Sequence, residues 1–231
     1  MFLRHYVEKG DSENLSKAFH VLKEEGLIEL KTALNWSPLI DIHIQKGDLE
    51  TAVQEFERIA KEEGKLPHKF KLMQELIEKE DMENMQRVLD ASIEVIGETK
   101  SLYDLVLNFL KVEKYPQAKK LLETPGLRYD QDKVSYIMHK LAQDNALDEL
   151  ENFVALSQSI FACDREFMYS TLVSTLEQVK EAVRINDVWV NMQEEDFVPS
   201  EELKIQCMYI CLLYTSPSPR DATLSRMPSS A

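Results

Sequence analysis

The chain has 231 residues, of which 44% are hydrophobic, and a formal net charge of −14. An acidic surplus of this size argues against a broad surface that neutralises nucleic-acid phosphates, and it favours a basic partner or a solvated acidic face. No apolar run approaches the roughly 18–20 residues needed to span a membrane, and with 6 glycines, 8 prolines and no β-branched runs the sequence predicts an all-α fold.

Short polar connections recur along the chain at a nearly constant spacing. When one residue in each connection is taken as equivalent, the successive steps are 37, 33, 33 and 32 residues. These equivalent residues are Gly10, Gly47, Glu80, Glu113 and Asn145. A steady period in the thirties is typical of an α-solenoid, in which antiparallel helical hairpins bury their apolar stripes against one another.

The period divides the chain into units. Because Gly10 already occupies a turn position, residues 1–32 are expected to be a partial repeat of an array that begins further upstream. Well-formed repeats are predicted at residues 33–65, 131–165 and 166–210, and degenerate ones at 66–98 and 99–130.

The unit at residues 33–65 has the clearest helix signals. Ser37 is the predicted N-cap of its first helix, with Pro38 at the first helical position, where its missing N–H costs nothing. Gly47 is the predicted left-handed stop, and Asp48 is the predicted cap of the second helix. That second helix has an apolar stripe at helical spacing, formed by Leu49, Ala52, Val53, Phe56, Ile59 and Ala60.

The last unit has a recognisable motif. Tyr169 is followed by Ser-Thr-Leu-Val, Met192 lies late in the second helix and Pro199 ends the unit. This pattern resembles the pentatricopeptide repeat (PPR), although Ser200 stands where the family has an aspartate. A second stretch that resembles the motif begins at Trp36, with the sequence Trp-Ser-Pro-Leu-Ile-Asp.

The resemblance covers roughly residues 1–210 and implies a mitochondrial RNA-binding protein. Family members of this acidic, degenerate type in animal mitochondria bind single-stranded messenger RNA. The resemblance further implies roles in mRNA stability, polyadenylation and translation, together with a small partner that contains an RNA-recognition motif (RRM).

In the family, two residues of each repeat read one base: the residue after the first-helix Tyr and the last residue of the repeat. The first role is carried over to Ser37, Phe70, Tyr103, Ser135 and Ser170. The second is carried over, to within about one residue, to Lys65, Glu98, Asp130, Asp164 and Ser200. Only Ser135 and Ser170 come close to the expected small polar pairings. The aromatic residues depart from the code, and they would either stack on a base or pack in the core.

Charge is distributed unequally between the two helices of the repeat. Counting Asp, Glu, Lys and Arg, the predicted first helices sum to +1 and the second helices to −14. First helices line the concave groove in the family, so a neutral groove is compatible with weak, salt-sensitive RNA binding. We expect Lys69, Lys71 and Lys133 to be its phosphate contacts. The alternative is a protein-interaction scaffold whose acidic second helices dock a basic partner without RNA.

Sequence signals of catalysis or metal binding are missing. Asp41 and His43 are spaced i, i+2 and so point to different faces of a helix, and no zinc, redox, P-loop or nucleophile-elbow motif occurs. The first fifteen residues lack the pattern of a signal or transit peptide. We therefore expect no enzyme, no cofactor and no metal site.

Residues 211–231 differ in composition from the rest of the chain. A permitted back-translation of residues 211–221 resembles the transposase-end adapter of sequencing libraries, and the resemblance resumes at residues 225–231. We expect residues 211–231 to be a translated adapter without regular structure, so that the native segment ends near Ile210.

Overall fold

The computed structural model describes residues 2–27, 30–124, 127, 129–160 and 163–215. Those residues form α-helices joined by short turns, with no strand among them, and the predicted all-α repeat fold is confirmed. The first helices of the hairpins are α1 (Phe2–Lys9), α3 (Ser37–Lys46), α5 (Lys69–Glu78), α7 (Glu98–Lys111), α9 (Gln131–Gln143), α11 (Arg165–Val179) and α13 (Glu201–Thr215). The second helices are α2 (Ser12–Glu24), α4 (Leu49–Glu63), α6 (Met82–Ile96), α8 (Tyr115–Leu122), α10 (Leu147–Leu156) and α12 (Ala182–Glu194).

The chain forms two compact units, Met1–Val134 and Ser135–Ala231. In the first unit, the first helices α1, α3, α5 and α7 contact one another in succession, while the second helices α4 and α6 pack side by side. In the second unit, α11 packs against α10, α12 and α13. Within each unit the hairpins therefore stack as expected for an α-solenoid, with each helix covering the apolar stripe of its neighbour.

The hairpin turns confirm the predicted period. All five residues taken as equivalent have positive φ, from 51° at Asn145 to 72° at Gly47. At each of them the N–H of the following residue donates to the carbonyl five residues before it, as when Asp48 N–H donates to His43 O at 3.0 Å. Lys180, 35 residues after Asn145, adopts the same conformation with φ 64° and extends the series. Lysine is not a typical left-handed residue, so this turn had no signal in the sequence.

Local signals in the unit at residues 33–65 are confirmed with one correction. Gly47 and Gly64 end α3 and α4 in the left-handed conformation, and Asp48 accepts a hydrogen bond from Thr51 N–H at 3.2 Å. The prediction that Ser37 is an N-cap is wrong. A 3₁₀ turn at Ala33–Trp36 leads directly into α3, so Ser37 is already helical and its hydroxyl donates back to Ala33 O at 3.3 Å.

The core is made of the apolar stripes that the sequence predicts. Every member of the α4 stripe, from Leu49 to Ala60, is buried. Trp36 is 1% exposed and packs against Phe19 with ring centroids 5.1 Å apart, which joins the first two hairpins. Tyr169 and Phe153 are the corresponding large buried side chains of the second unit.

The helix α13 extends to Thr215, beyond the position near Ile210 where we expect the native segment to end. Residues 211–215 are thus helical where the sequence predicts no regular structure. A helix that has already formed adds one hydrogen bond per residue until a stop signal, and the Ser216-Pro217 pair is the first such signal. The rest of the predicted adapter, residues 216–231, lies outside the described residues.

A partly buried polar cluster closes the open end of the α11–α12 hairpin. Arg165 donates to both carboxylate oxygens of Glu195 at 2.8 Å, and also to Val154 O at 2.9 Å and Ser157 Oγ at 2.7 Å. The Tyr169 hydroxyl donates to the same carboxylate. These bonds join the start of α11 to the end of α12, at the end of the hairpin opposite the Lys180 turn.

Candidate functional site

A polar groove lies on the first-helix surface of the first unit. It has a volume of about 1140 Å³ and is lined mainly by α1 and α3, with contributions from Leu22 of α2, from residues before α3 that include Leu27 and Leu34, and from His68, which precedes α5. Its polar lining includes Arg4, His5, Asp41, Gln45 and His68, while leucine side chains form much of the remainder. Arg4 and His5 are exposed to solvent, so the groove offers donors to a ligand from the α1 side.

Asp41 lies at the centre of the polar side of this groove. Its Oδ1 accepts a hydrogen bond from Lys71 Nζ at 2.7 Å, and its Oδ2 lies 3.2 Å from His68 Nε2. Burial opposes ionisation of Asp41, but the bonds from His68 and Lys71 outweigh it and hold the pKa of the carboxyl at about 2. The carboxylate therefore stays charged at neutral pH and ties α3 to the next hairpin.

The three predicted phosphate contacts have different environments. Lys69 is buried and ion-paired with the buried Asp104, so its ammonium is not open to a phosphate. Burial lowers the pKa of Lys69, although Asp104 opposes this effect. The side chain of Lys71 is 43% exposed despite its bond to Asp41. Lys133 is half-buried near the start of α9, and its backbone N–H donates to Asp130 Oδ1 at 3.2 Å.

The five predicted first base-reading positions are either buried or half-buried. Ser37 and Tyr103 are buried, and the Tyr103 hydroxyl accepts a bond from Asp130 N–H at 3.1 Å. Phe70 is half-buried, with Lys69 Nζ 5.0 Å from its ring centre. Ser135 and Ser170 are half-buried, and the Ser170 hydroxyl donates to Phe167 O at 3.1 Å. Tyr103 belongs to the core, which is the commoner outcome for an aromatic residue at such a position.

Three of the predicted second positions are helix caps. Asp130 accepts from the N–H groups of Asp132 and Lys133 at the start of α9, and Asp164 accepts from Phe167 N–H at the start of α11. Ser200 accepts from Leu203 N–H at 3.2 Å and donates to Glu166 at 2.5 Å. The remaining two, Lys65 and Glu98, are half-buried and exposed respectively, and they cap no helix among the described residues. Capping gives Asp130, Asp164 and Ser200 a structural role whether or not they touch a base.

The acidic second helices are tied together by arginines from the following hairpin. Arg87 on α6 binds Glu50 and Glu57 of α4, with its closest contact at 2.6 Å. Arg184 on α12 binds Asp148 and Glu151 of α10, with its closest contact at 2.5 Å. Much of the second-helix charge nevertheless remains on exposed carboxylates.

The part of the chain that the structure describes has no group of three or more His, Cys, Asp or Glu residues that could hold a metal ion.

The groove includes residues that the sequence analysis did not select. Arg4, His5 and Gln45 have no motif around them, and His68 stands alone before α5. Spacing in the sequence places Asp41 beside His43 on α3, but the structure pairs it with His68 and Lys71 from the next hairpin. The repeat period is the one signal that could have found them, since it predicts that successive first helices lie side by side.

The chain matches no family model over its length. It is, however, similar to the leucine-rich PPR motif-containing protein, mitochondrial, of Xenopus tropicalis, with 32% identity over 193 residues, which is 84% of this chain and 14% of the relative. The protein of the same name from Mus musculus is 30% identical over the same shares of the two chains. This chain belongs to the pentatricopeptide-repeat family. The confirmed hairpins and the PPR-like last unit agree with that assignment.

As a PPR segment, the chain spans 14% of the length of the curated relatives that it matches. Those relatives are named as mitochondrial proteins, and by this resemblance the chain is mitochondrial too. Among the helices that the structure describes, none has the length and apolar character needed to cross a membrane.

Proposed function

We propose that this PPR segment binds single-stranded RNA through the first-helix surface of its first unit. The observation that supports the proposal is the polar groove between α1, α3 and the start of α5. It lies on the less acidic of the two helix layers, so an RNA strand there avoids most of the net charge of −14 summed over the second helices. Arg4, His5 and Lys71 would supply the phosphate contacts, and Gln45 would supply an amide for a base edge.

The binding is weak by nature. The groove contains Glu8 and Asp41 as well as its cations, so an incoming strand meets little net positive charge. Few phosphate contacts mean few released counterions and a small electrostatic contribution. We therefore place high-affinity recognition in the longer protein, with this segment as one part of an extended binding surface.

In that longer protein we propose a role in mRNA stability, polyadenylation and translation, together with a small RRM-containing partner. The support is the resemblance to mitochondrial leucine-rich PPR proteins. We assign the segment no catalytic step of its own.

The second candidate is a scaffold that docks a basic protein. The observation that favours it is the row of exposed carboxylates that Arg87 and Arg184 leave unneutralised on the second helices. This surface would attract Lys- and Arg-rich partners at low ionic strength. Binding of a small basic RRM protein to the immobilised chain, in the absence of RNA, would support it.

Fluorescence anisotropy tests the RNA proposal. The full chain is titrated against an unstructured labelled RNA of about twenty nucleotides at roughly 50 and 200 mM salt. Lys71→Met should weaken binding by roughly threefold to tenfold and reduce the salt dependence by about one released counterion. Lys69→Met should affect stability instead, because Lys69 is buried against Asp104.

Lys17→Met is the matched control. Lys17 also pairs with an acidic side chain, Glu13, at 2.5 Å, but it lies on the second helix α2. We expect its loss to change RNA affinity by less than about twofold. RNA binding that is equally sensitive to both lysines, or absent at the lower salt, would contradict the groove as the binding surface.

A further inference from the structure

Two ion pairs on α5 share the same residue types but have opposite accessibility. Lys69 and Asp104 are 9% and 7% exposed in their side chains, so the pair is sealed in the core between α5 and α7. Lys71 is 43% exposed and its partner Asp41 is 22% exposed. Asp41 lines the groove, so a ligand can reach the second pair from there, whereas neither Lys69 nor Asp104 lines it.

The geometry of the Asp41 cluster matches the way proteins bind a phosphate group. One carboxylate oxygen receives Lys71 Nζ at 2.7 Å, and the other faces His68 Nε2 at 3.2 Å. A phosphodiester also has two non-bridging oxygens, and each can accept a charge-assisted bond from such a donor. In this part of the groove an RNA phosphate would need the donors Lys71 Nζ and His68 Nε2. Asp41 already occupies both of them.

The backbone at His68 fixes this arrangement. His68 has φ 48°, in the left-handed region that is uncommon for residues other than glycine. Such a conformation persists where the surroundings impose it, and it is often found at binding sites. Here it places the imidazole at the start of α5, facing Asp41 on α3.

We propose that Asp41 is an intramolecular substitute for phosphate that limits RNA affinity in the first-helix groove. This rests on the proposed RNA-binding function. To seat a phosphodiester on His68 and Lys71, the strand must displace the Asp41 carboxylate or bind beside it against its charge. Lys71 can turn outward because its side chain is already 43% exposed, so the exchange requires no opening of the core.

Removing the charge of Asp41 has different expected effects on RNA affinity if the residue competes with phosphate and if it forms a purely structural ion pair. If Asp41 only joined α3 to α5, removing its charge would weaken the fold and leave RNA binding unchanged or reduced. If Asp41 competes with phosphate, the neutral variant frees two donors and removes a repulsive charge. RNA binding should then become tighter and more salt-sensitive.

The test compares Asp41→Asn with the wild-type chain by anisotropy on the same twenty-nucleotide RNA. We expect the variant to bind about threefold to tenfold more tightly at low salt, with a salt dependence steeper by about one to two counterions. Glu78→Gln is the control, since it removes the same charge from an exposed position on α5. We expect it to tighten binding by less than about twofold.

The double variant Asp41→Asn/Lys71→Met separates a specific effect from general charge. It should lose most of the gain, because the freed ammonium is then missing. Thermal unfolding of each variant shows whether it is folded. If Asp41→Asn is unfolded, the NMR signals of the His68 ring in the wild-type chain give a second measurement. These signals should shift when RNA is added.

The outcomes separate the two proposals. If the wild type binds RNA and Asp41→Asn binds no more tightly than Glu78→Gln, the proposal that Asp41 substitutes for phosphate is wrong, while the proposal that the groove binds RNA stands. If neither the wild type nor Asp41→Asn binds at low salt, both ideas fail. Binding by Asp41→Asn alone would support the substitute most strongly, since the site would then be masked in the wild type. An unchanged His68 signal at saturating RNA would overturn it.

Discussion

The first three hairpins and the last three have the same turn geometry but different side chains at the turn. Turns at Gly10, Gly47 and Glu80 are each followed by an aspartate that caps the next helix through its side chain. Turns at Glu113, Asn145 and Lys180 are followed by Lys114, Ala146 and Glu181, none of which makes a side-chain cap. Yet all six residues have φ between 51° and 72°, with the same pattern of backbone bonds.

This comparison shows that turn chemistry favours the hairpin without being required for it. A non-glycine residue in the left-handed region costs about 1–2 kcal/mol, and a missing cap costs about 1 kcal/mol. The packing of paired apolar stripes offsets these costs in the last three hairpins. The α11–α12 hairpin has in addition the Arg165–Glu195–Tyr169 cluster at its open end. Local stability there depends on long-range contacts more than in the first hairpins.

The largest expected effect comes from breaking that cluster. Arg165→Met leaves the carboxylate of Glu195, only 12% exposed, without its cation and should destabilise the second unit by about 3 kcal/mol. Arg184→Met removes a more exposed pair on the same hairpin and should cost under about 1 kcal/mol. Urea denaturation followed by circular dichroism, with hydrogen exchange in α11 and α12, measures both. Equal costs for the two arginines would show that the cluster has no special role.

Substitutions at two left-handed turn residues, Gly47 and Lys180, should shift the free energy of unfolding in opposite directions. Gly47→Ala is expected to destabilise by about 1 kcal/mol, because an added Cβ would meet only Lys79 Nζ at 4.0 Å, an ordinary contact, and the backbone conformation alone is unfavourable. Lys180→Gly should stabilise the last hairpin by up to about 1 kcal/mol for the same reason. Chemical denaturation midpoints give both values. A Lys180→Gly variant that is less stable than the wild type would mean that the lysine side chain makes a contact that outweighs its strain.

The caps offer a finer test of the same contrast. Asp48→Ala should cost about 1 kcal/mol by removing the bond to Thr51 N–H, while Ala146→Asp should gain roughly 0.5–1 kcal/mol by adding a cap to α10. Amide exchange at the first turns of α4 and α10 locates each change. Asp48→Asn is the control, since asparagine caps about as well and should leave stability nearly unchanged.

The smallest effect concerns acid. The pKa of Asp41 is held at about 2 in the folded chain, below the value of about 3.9 of an unfolded aspartate. Its contribution is therefore complete above the unfolded pKa and is lost as pH falls from about 4 towards 2. At pH 3.5 the loss should be under about 1 kcal/mol. Asp41→Asn should flatten this part of the stability curve, and an unchanged curve would mean that other carboxylates account for it.

Sequence reasoning predicted the features that depend on neighbours within a few residues. The helical class, the period, the stops at Gly47 and Gly64 and the Asp48 cap all follow from local spacing and turn chemistry. The N-cap prediction for Ser37 was wrong because a 3₁₀ turn leads directly into α3, so the backbone at Ser37 is already helical. Such a turn has no strong sequence signature of its own.

The candidate site was predicted only in part for a related reason. Lys69 and Lys71 look equivalent in the sequence, two residues apart on one helix. Their environments differ because Lys69 faces α7 and the core, while Lys71 faces α3 and solvent. Which lysine remains accessible depends on the orientation of α5 in the stack, and that orientation is not encoded in its immediate neighbours.

Apolar periodicity and turn residues act over a few positions and repeat along the chain, so the helical hairpins can be predicted from the sequence alone. Which charges meet depends on how those hairpins pack. Asp41 finds Lys71 30 residues away and Lys69 finds Asp104 35 residues away, because the repeat brings successive first helices together. Electrostatic pairing depends on distance in space, so the groove and its central carboxylate become visible only once the hairpins are stacked.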